Sequence, residues 1–262
     1  MTEFTTLSLD FQGPVATLTL RRPKAGNAMG ALSGQELRAA ADIVARDTTA
    51  RVLVLRAEGR AFCVGGDLAE FSSHAELGPA VRAMVVDFHT ACQQLAELDL
   101  PILAVVQGPV AGAGLALTSL ADYVVAASEA TFTYAYASVG LSADGGVTWL
   151  LPKQMGLRAF RSFVITGRTL TSEEGLAQGL VSELVAGANL EEKAEALTSQ
   201  FARGPTRALG AIRRLTLDGY GRSYADHLSA EMDQVATLAD TDVAKGAIAD
   251  VLSRRAPQFP NR

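Results

Sequence analysis

Cysteine is scarce: Cys63 and Cys92 are the two in 262 residues. Neither sits in a metal-ligand spacing, and two thiols make no disulfide framework, so neither device is expected to staple the fold. Positive charge is also short, with 23 Lys and Arg against 28 Asp and Glu and a net charge of −5. Bulk electrostatics therefore argue against nucleic acid and anionic membranes as partners. The opening residues, MTEFTTLSLD, lack the basic and apolar blocks of a secretory signal, so the cytoplasm is the expected compartment. No repeat or low-complexity tract is present. A long unbroken apolar run is missing too. Residues 101–127 come near one, but Gln107, Pro109 and a glycine cluster split them, and no membrane span is expected.

What is there suits a packed α/β chain. Hydrophobic residues make up 48% and charged residues 19%, enough for a substantial core in one large domain or one with a helical appendage. Residues 5–11 and 15–21 alternate apolar and polar side chains about Gln12-Gly13 and predict a hairpin. Ser33 and Glu36 form a capping-box pattern, which predicts a helix from there to about Ala45. Residues 51–56 predict a buried strand, and 77–98 a long helix. Residues 102–106, bounded by Pro101 and by Gln107-Gly108-Pro109, have the profile of a strand covered on both faces. A small-residue loop, 111–114, leads into a helix over 115–120, and Tyr123 begins another strand. Residues 131–138 form a short aromatic segment, 139–146 a loop and 147–155 a helix. Thr171 and Glu174 make a second capping box, and 180–185 the last strand. From Leu190 onward only helices are expected, one opened by Gly204-Pro205 and one by Thr241. The alternation predicts parallel βαβ units over residues 1–190, with a helical region over 191–262 that packs on a neighbour or a partner subunit.

Two glycine-bearing loops each follow a predicted strand: 62–68, reading FCVGGDL, and 108–115, reading GPVAGAGL. A tight loop feeding a helix N-terminus aims free backbone N–H groups at one point. Side by side, the two loops would offer two donors to one carbonyl oxygen. A thioester losing its α-proton needs such donors, because charge builds on that oxygen. The other reading is close packing of helix on sheet, with small residues for fit.

Taken together, the blocks Arg22-Pro23-Lys24 with Asn27-Ala28, then 61–68, 108–122 and 140–152, then Thr166-Gly167-Arg168 with Ala177, Gly179, Leu180 and Val181, resemble the crotonase (enoyl-CoA hydratase/isomerase) superfamily. The resemblance implies a spiral of ββα repeats with a C-terminal helical region. It further implies homotrimers or pairs of trimers, an acyl-CoA substrate, and no cofactor beyond the coenzyme A carried in the thioester. It places the oxyanion donors at the N–H groups of Gly66 and Ala113. It puts coenzyme A contacts at Ala61, Cys63 and Gly65, with Lys24, Asp67 and Leu68 as further candidates. Asp67 also reads as the cap of the short helix after its loop, and Cys63 as an apolar filler without the basic neighbour of a reactive thiolate.

The positions of the family's two hydratase glutamates hold Ala116 and Tyr136, and neither exchanges a proton with water at neutral pH. Asp144 falls where isomerase-type members carry a catalytic aspartate, although locally it also reads as the N-cap of the helix from Val147. An isomerase is therefore expected rather than a hydratase. The alternatives are hydrolytic or dehalogenating chemistry, since His89, Tyr136 and Asp144 resemble the histidine, aromatic residue and aspartate of dehalogenase-like members, or an inactive acyl-CoA-binding paralogue. His89 alone reads equally as a structural residue of its helix. Arg203, Arg207, Arg213 and Arg214 read as a solvated face, and Tyr134, Tyr136, Trp149 and Phe160 as pocket wall or core.

Overall fold

Five consecutive apolar side chains, Ile102 to Val106, need cover on both sides, and they become an inner strand of the main sheet. The computed structural model describes residues 4–259. The hairpin pairs β1 (Leu7–Gln12) with β2 (Val15–Leu20). Next come α1 (Ala31–Arg46), β3 (Val52–Ala57), the short α2 (Leu68–Ser72), the long α3 (Leu77–Ala96) and β4 (Ile102–Val106). The two-residue β5 (Val110–Ala111) leads into α4 (Ala113–Leu120), β6 (Tyr123–Ala127) and β7 (Thr131–Thr133). Then follow α5 (Val147–Met155), α6 (Leu157–Thr166), β8 (Thr169–Thr171), α7 (Ser172–Ala177) and β9 (Glu183–Val185). The chain finishes with α8 (Leu190–Ala202), α9 (Thr206–Gly219), α10 (Tyr224–Ala239) and α11 (Asp242–Leu252).

The main sheet runs β1-β2-β3-β4-β6-β9 and is parallel from β2 onward; β5, β7 and β8 form a second, smaller sheet. Because strand side chains alternate, each parallel strand sends every second residue to the opposite face. Leu53, Leu55, Ile102, Ala104 and Val106 join one core with the buried faces of α1, α3 and α4. Val52, Val54, Leu103 and Val105 meet Leu190, Ala194 and Leu197 of α8 on the other. Each large side chain so buried contributes about 1.5–3 kcal/mol. This is the α/β architecture expected, with helices closing the chain. Among the described residues no helix is long and apolar enough to cross a membrane.

The two capping boxes came out differently. Thr171 and Glu174 bond reciprocally at the start of α7, at 3.3 and 3.0 Å. Ser33 caps nothing: α1 begins at Ala31 with Gly30 as its cap, and among the described residues the buried Ser33 hydroxyl has no partner. Glu36 instead accepts from the Thr5 and Thr6 N–H groups at 2.8 and 2.7 Å and from the Thr6 hydroxyl at 2.6 Å. Three donors from the chain before β1 outweigh one capping bond at this buried carboxylate.

Arg213 also departs from expectation. It is buried, and its Nε donates to both oxygens of Asp122 at 2.9 and 3.0 Å. Its other nitrogens donate to the carbonyls of Ala96, Leu98 and Leu120, around the C-terminal ends of α3 and α4. Helix ends leave such carbonyls without partners, and a guanidinium fork supplies several donors at once. Arg214 pairs with Asp99, whereas Arg203 and Arg207 are exposed. Thus α8 and α9 are built into the core. By contrast, α10 and α11 contain no buried residue and leave Met232, Val235, Ile248 and Val251 in the open.

Candidate active site

The loop after β3 is clamped on both sides. On one, the Met29 N–H donates to the Gly65 carbonyl at 2.7 Å and the Asp67 N–H to the Met29 carbonyl at 2.9 Å. On the other, the Ala111 N–H donates to the Cys63 carbonyl at 2.8 Å and the Phe62 N–H to the Pro109 carbonyl at 3.0 Å. The two glycine loops therefore lie side by side. They touch so closely that a Cβ on Gly112 would stand 2.9 Å from the Gly65 Cα, and one on Gly114 2.4 Å from the Cys63 oxygen. Gly65 and Gly112 also hold positive φ, +111° and +50°, which side chains disfavour. Ala113 is the first residue of α4, where an N–H has no intrahelical acceptor. Among the described residues neither its N–H nor that of Gly66 has an acceptor. Gly65, Gly66 and Gly112 line a cavity of about 500 Å³.

Asp144 faces this cavity from the segment before α5, together with Tyr136 and, from α3, His89. The Tyr136 hydroxyl donates to Asp144 Oδ1 at 2.6 Å. Burial first, then the Asp144 charge, push the Tyr136 phenol far above its ordinary range, so it stays a donor. The cap reading of Asp144 does not hold. Gly146, at φ +81°, caps α5 with no side-chain bond, and only the Asp144 carbonyl meets the helix, accepting the Val147 N–H at 3.2 Å. Gly145 and Gly146 both adopt left-handed φ. They turn the chain before the helix starts, and this leaves the carboxylate to Tyr136. His89 Nε2 accepts the Gly145 N–H at 2.9 Å. Ala116 is fully buried, and a Cβ on Gly145 would stand 2.5 Å from its methyl.

The remaining candidates separate into rim, brace and core. Lys24 is exposed on a 3-10 turn, Pro23–Ala25, and Leu68 is half exposed on the cavity wall. Ala61 is buried, its carbonyl accepting from Asn27 and Gln107. The Cys63 thiol is buried rather than presented to the cavity, and burial with the Asp144 charge pushes it up to about 11. Asp67 braces the loop: it accepts from the Glu70 N–H at 3.1 Å, capping α2, and from Arg22 at 2.8 Å. Burial works against its charge, but Arg22 and the cap prevail and hold it below the usual carboxylate range. Tyr134 and Phe160 are core, and Trp149 is an exposed residue meeting Tyr220 edge to face.

Two features escaped the sequence reading. Arg82 lines the same cavity, and its spacing from His89, two helical turns along α3, was the available signal. The His89–Gly145 bond spans 56 positions and left no local trace.

The enoyl-CoA hydratase/isomerase family model matches residues 10–262. The chain is 31% identical to a probable enoyl-CoA hydratase of Rhodobacter capsulatus over 98% of each chain. It is 30% identical to the 1,2-epoxyphenylacetyl-CoA isomerase of Escherichia coli over 95% of each. A crystal structure of an enoyl-CoA hydratase from Polaromonas superposes with a TM-score of 0.90 at 27% identity, covering 97% of this chain and 99% of that one. On these matches the chain belongs to the enoyl-CoA hydratase/isomerase family, the crotonase superfamily.

Proposed function

We propose that this protein is an isomerase that shifts a double bond along the acyl chain of an enoyl-CoA. The observation that carries the reading is the single carboxylate: of the residues lining the cavity, Asp144 alone is acidic. With Oδ1 held by Tyr136, Oδ2 takes a proton from the carbon next to the thioester. The electron pair of that C–H bond becomes a double bond to the thioester carbon and pushes the carbonyl π pair onto the thioester oxygen, where the N–H groups of Gly66 and Ala113 bind the charge. The carboxylic acid then returns the same proton two carbons farther along, and the shifted double bond forms as the carbonyl is restored. Losing one oxyanion donor of this kind costs on the order of 3 kcal/mol of barrier.

Hydration needs more than this. Water must be oriented and deprotonated, which calls for a second proton-exchanging group. Ala116 is a buried methyl beneath Gly145, and Tyr136 is a phenol already donating to Asp144. Lys24 is exposed, and we assign it to the coenzyme A phosphates. The bare apolar faces of α10 and α11 fit the homotrimer, or pair of trimers, implied by the family pattern.

A panel of 2- and 3-enoyl-CoAs followed by absorbance tests the reading. Double-bond migration is the expected outcome; water addition, or no change with any substrate, would overturn it. Mass spectrometry of enzyme quenched during turnover should show no acyl or aryl adduct on Asp144. An adduct would make Asp144 a nucleophile instead of a proton carrier.

A further inference from the structure

His89 reaches the cavity from α3, yet its bond is to main chain. Its Nε2 accepts the Gly145 N–H at 2.9 Å. A nitrogen that accepts carries no proton, so the ring is the neutral tautomer with its hydrogen on Nδ1. The same peptide is held at its other end, where the Asp144 carbonyl accepts the Val147 N–H at 3.2 Å. Gly145 has no slack. Its φ is +60°, and the place of its missing Cβ lies 2.5 Å from the Ala116 methyl and 2.7 Å from the Phe88 ring. The peptide after Asp144 is thus fixed at both ends, and the Tyr136 hydroxyl sets the carboxylate that projects from it. The titratable side chains facing the cavity are Arg82, His89, Tyr136 and Asp144, with the Cys63 and Cys92 thiols buried behind them.

From these contacts we propose that His89 is a positioning residue: by accepting the Gly145 N–H it aims the Asp144 carboxylate into the cavity, and it takes no proton during the reaction. The kinetic side of this rests on Asp144 as the working acid; the structural side does not.

His89→Gln and His89→Ala separate the possibilities, because a glutamine amide oxygen can accept the Gly145 N–H but cannot serve as a base at neutral pH. His89→Ala should lower kcat about 10- to 100-fold with KM changed less than about threefold, the signature of a reacting group displaced by an ångström or so. His89→Gln should stay within about threefold of the unmodified enzyme. If glutamine is as damaging as alanine, the imidazole itself moves a proton and the proposal falls. It falls equally if alanine retains full turnover. A second measurement needs no substrate: amide hydrogen exchange over residues 140–150 of the ligand-free enzyme. Exchange should quicken in His89→Ala and return to normal in His89→Gln. Identical exchange in all three proteins would overturn the clamp. The expected exchange pattern without any double-bond migration would uphold the clamp and sink only the isomerase reading.

Discussion

The cavity has two walls made of different material. One is backbone: the Gly65-Gly66 and Gly112-Ala113 turns, pressed together so closely that a Cβ on Gly112 would stand 2.9 Å from the Gly65 Cα. The other is side chain: Asp144 gripped by the Tyr136 hydroxyl, with the peptide behind it tied to His89. A backbone wall is held by conformation, so it should ignore what hangs from it and fail when its φ angles or spacing change. A side-chain wall is held by particular atoms, so it should fail when one functional group is exchanged, even if the shape survives.

The sharpest test of that contrast removes the acid and keeps its shape. Asp144→Asn should lower turnover by about two to four orders of magnitude while acyl-CoA binding changes little. Unchanged turnover would take Asp144 out of the mechanism. Next in size is Gly112→Ala. One methyl group meets the Gly65 Cα and must occupy a left-handed φ. Turnover should fall about 100-fold, with about 1–3 kcal/mol of stability lost. Kinetics and thermal unfolding check both, and a fully active variant would mean that the two turns need not touch. Tyr136→Phe keeps the ring and deletes the hydroxyl, leaving Asp144 Oδ1 without its donor. Hydrogen bonds to charged groups are worth about 1.5–3 kcal/mol, so kcat should fall about 10- to 100-fold. An undiminished kcat would show that the carboxylate is oriented from elsewhere. The smallest effect is expected from Ala113→Gly, which keeps the N–H and loses only a methyl. Turnover should stay within about twofold, with up to about 1 kcal/mol of helix stability lost. A large loss of turnover there would erase the distinction between the walls.

Legibility in the sequence followed the same division. The backbone wall was visible in advance as two glycine-bearing loops with a second reading as close packing, and only the family resemblance singled out Gly66 and Ala113. Asp144 was visible only as a carboxylate with two readings, cap or acid. The pair of left-handed glycines after it and a tyrosine eight positions earlier removed the cap reading. The capping boxes carry the same lesson. Thr171 and Glu174 paired as their spacing suggests, with the other Glu174 oxygen taking Arg168, whereas Glu36 was drawn away by three donors more than 29 positions distant. Arg213 looked like one basic residue of a solvated face until the ends of α3 and α4 came together around it.

Period and local chemistry determined the strands of the main sheet, most of the helices and the position of the two glycine loops from sequence, since those depend on neighbours a few residues apart; the second sheet of β5, β7 and β8 was not read. Only the tertiary structure decided which polar groups meet: His89 with Gly145, Glu36 with the chain before β1, Arg213 with two helix ends. Hydrogen bonds are short-ranged and directional, so their partners exist only once packing has placed them, and no spacing along the chain encodes that placement.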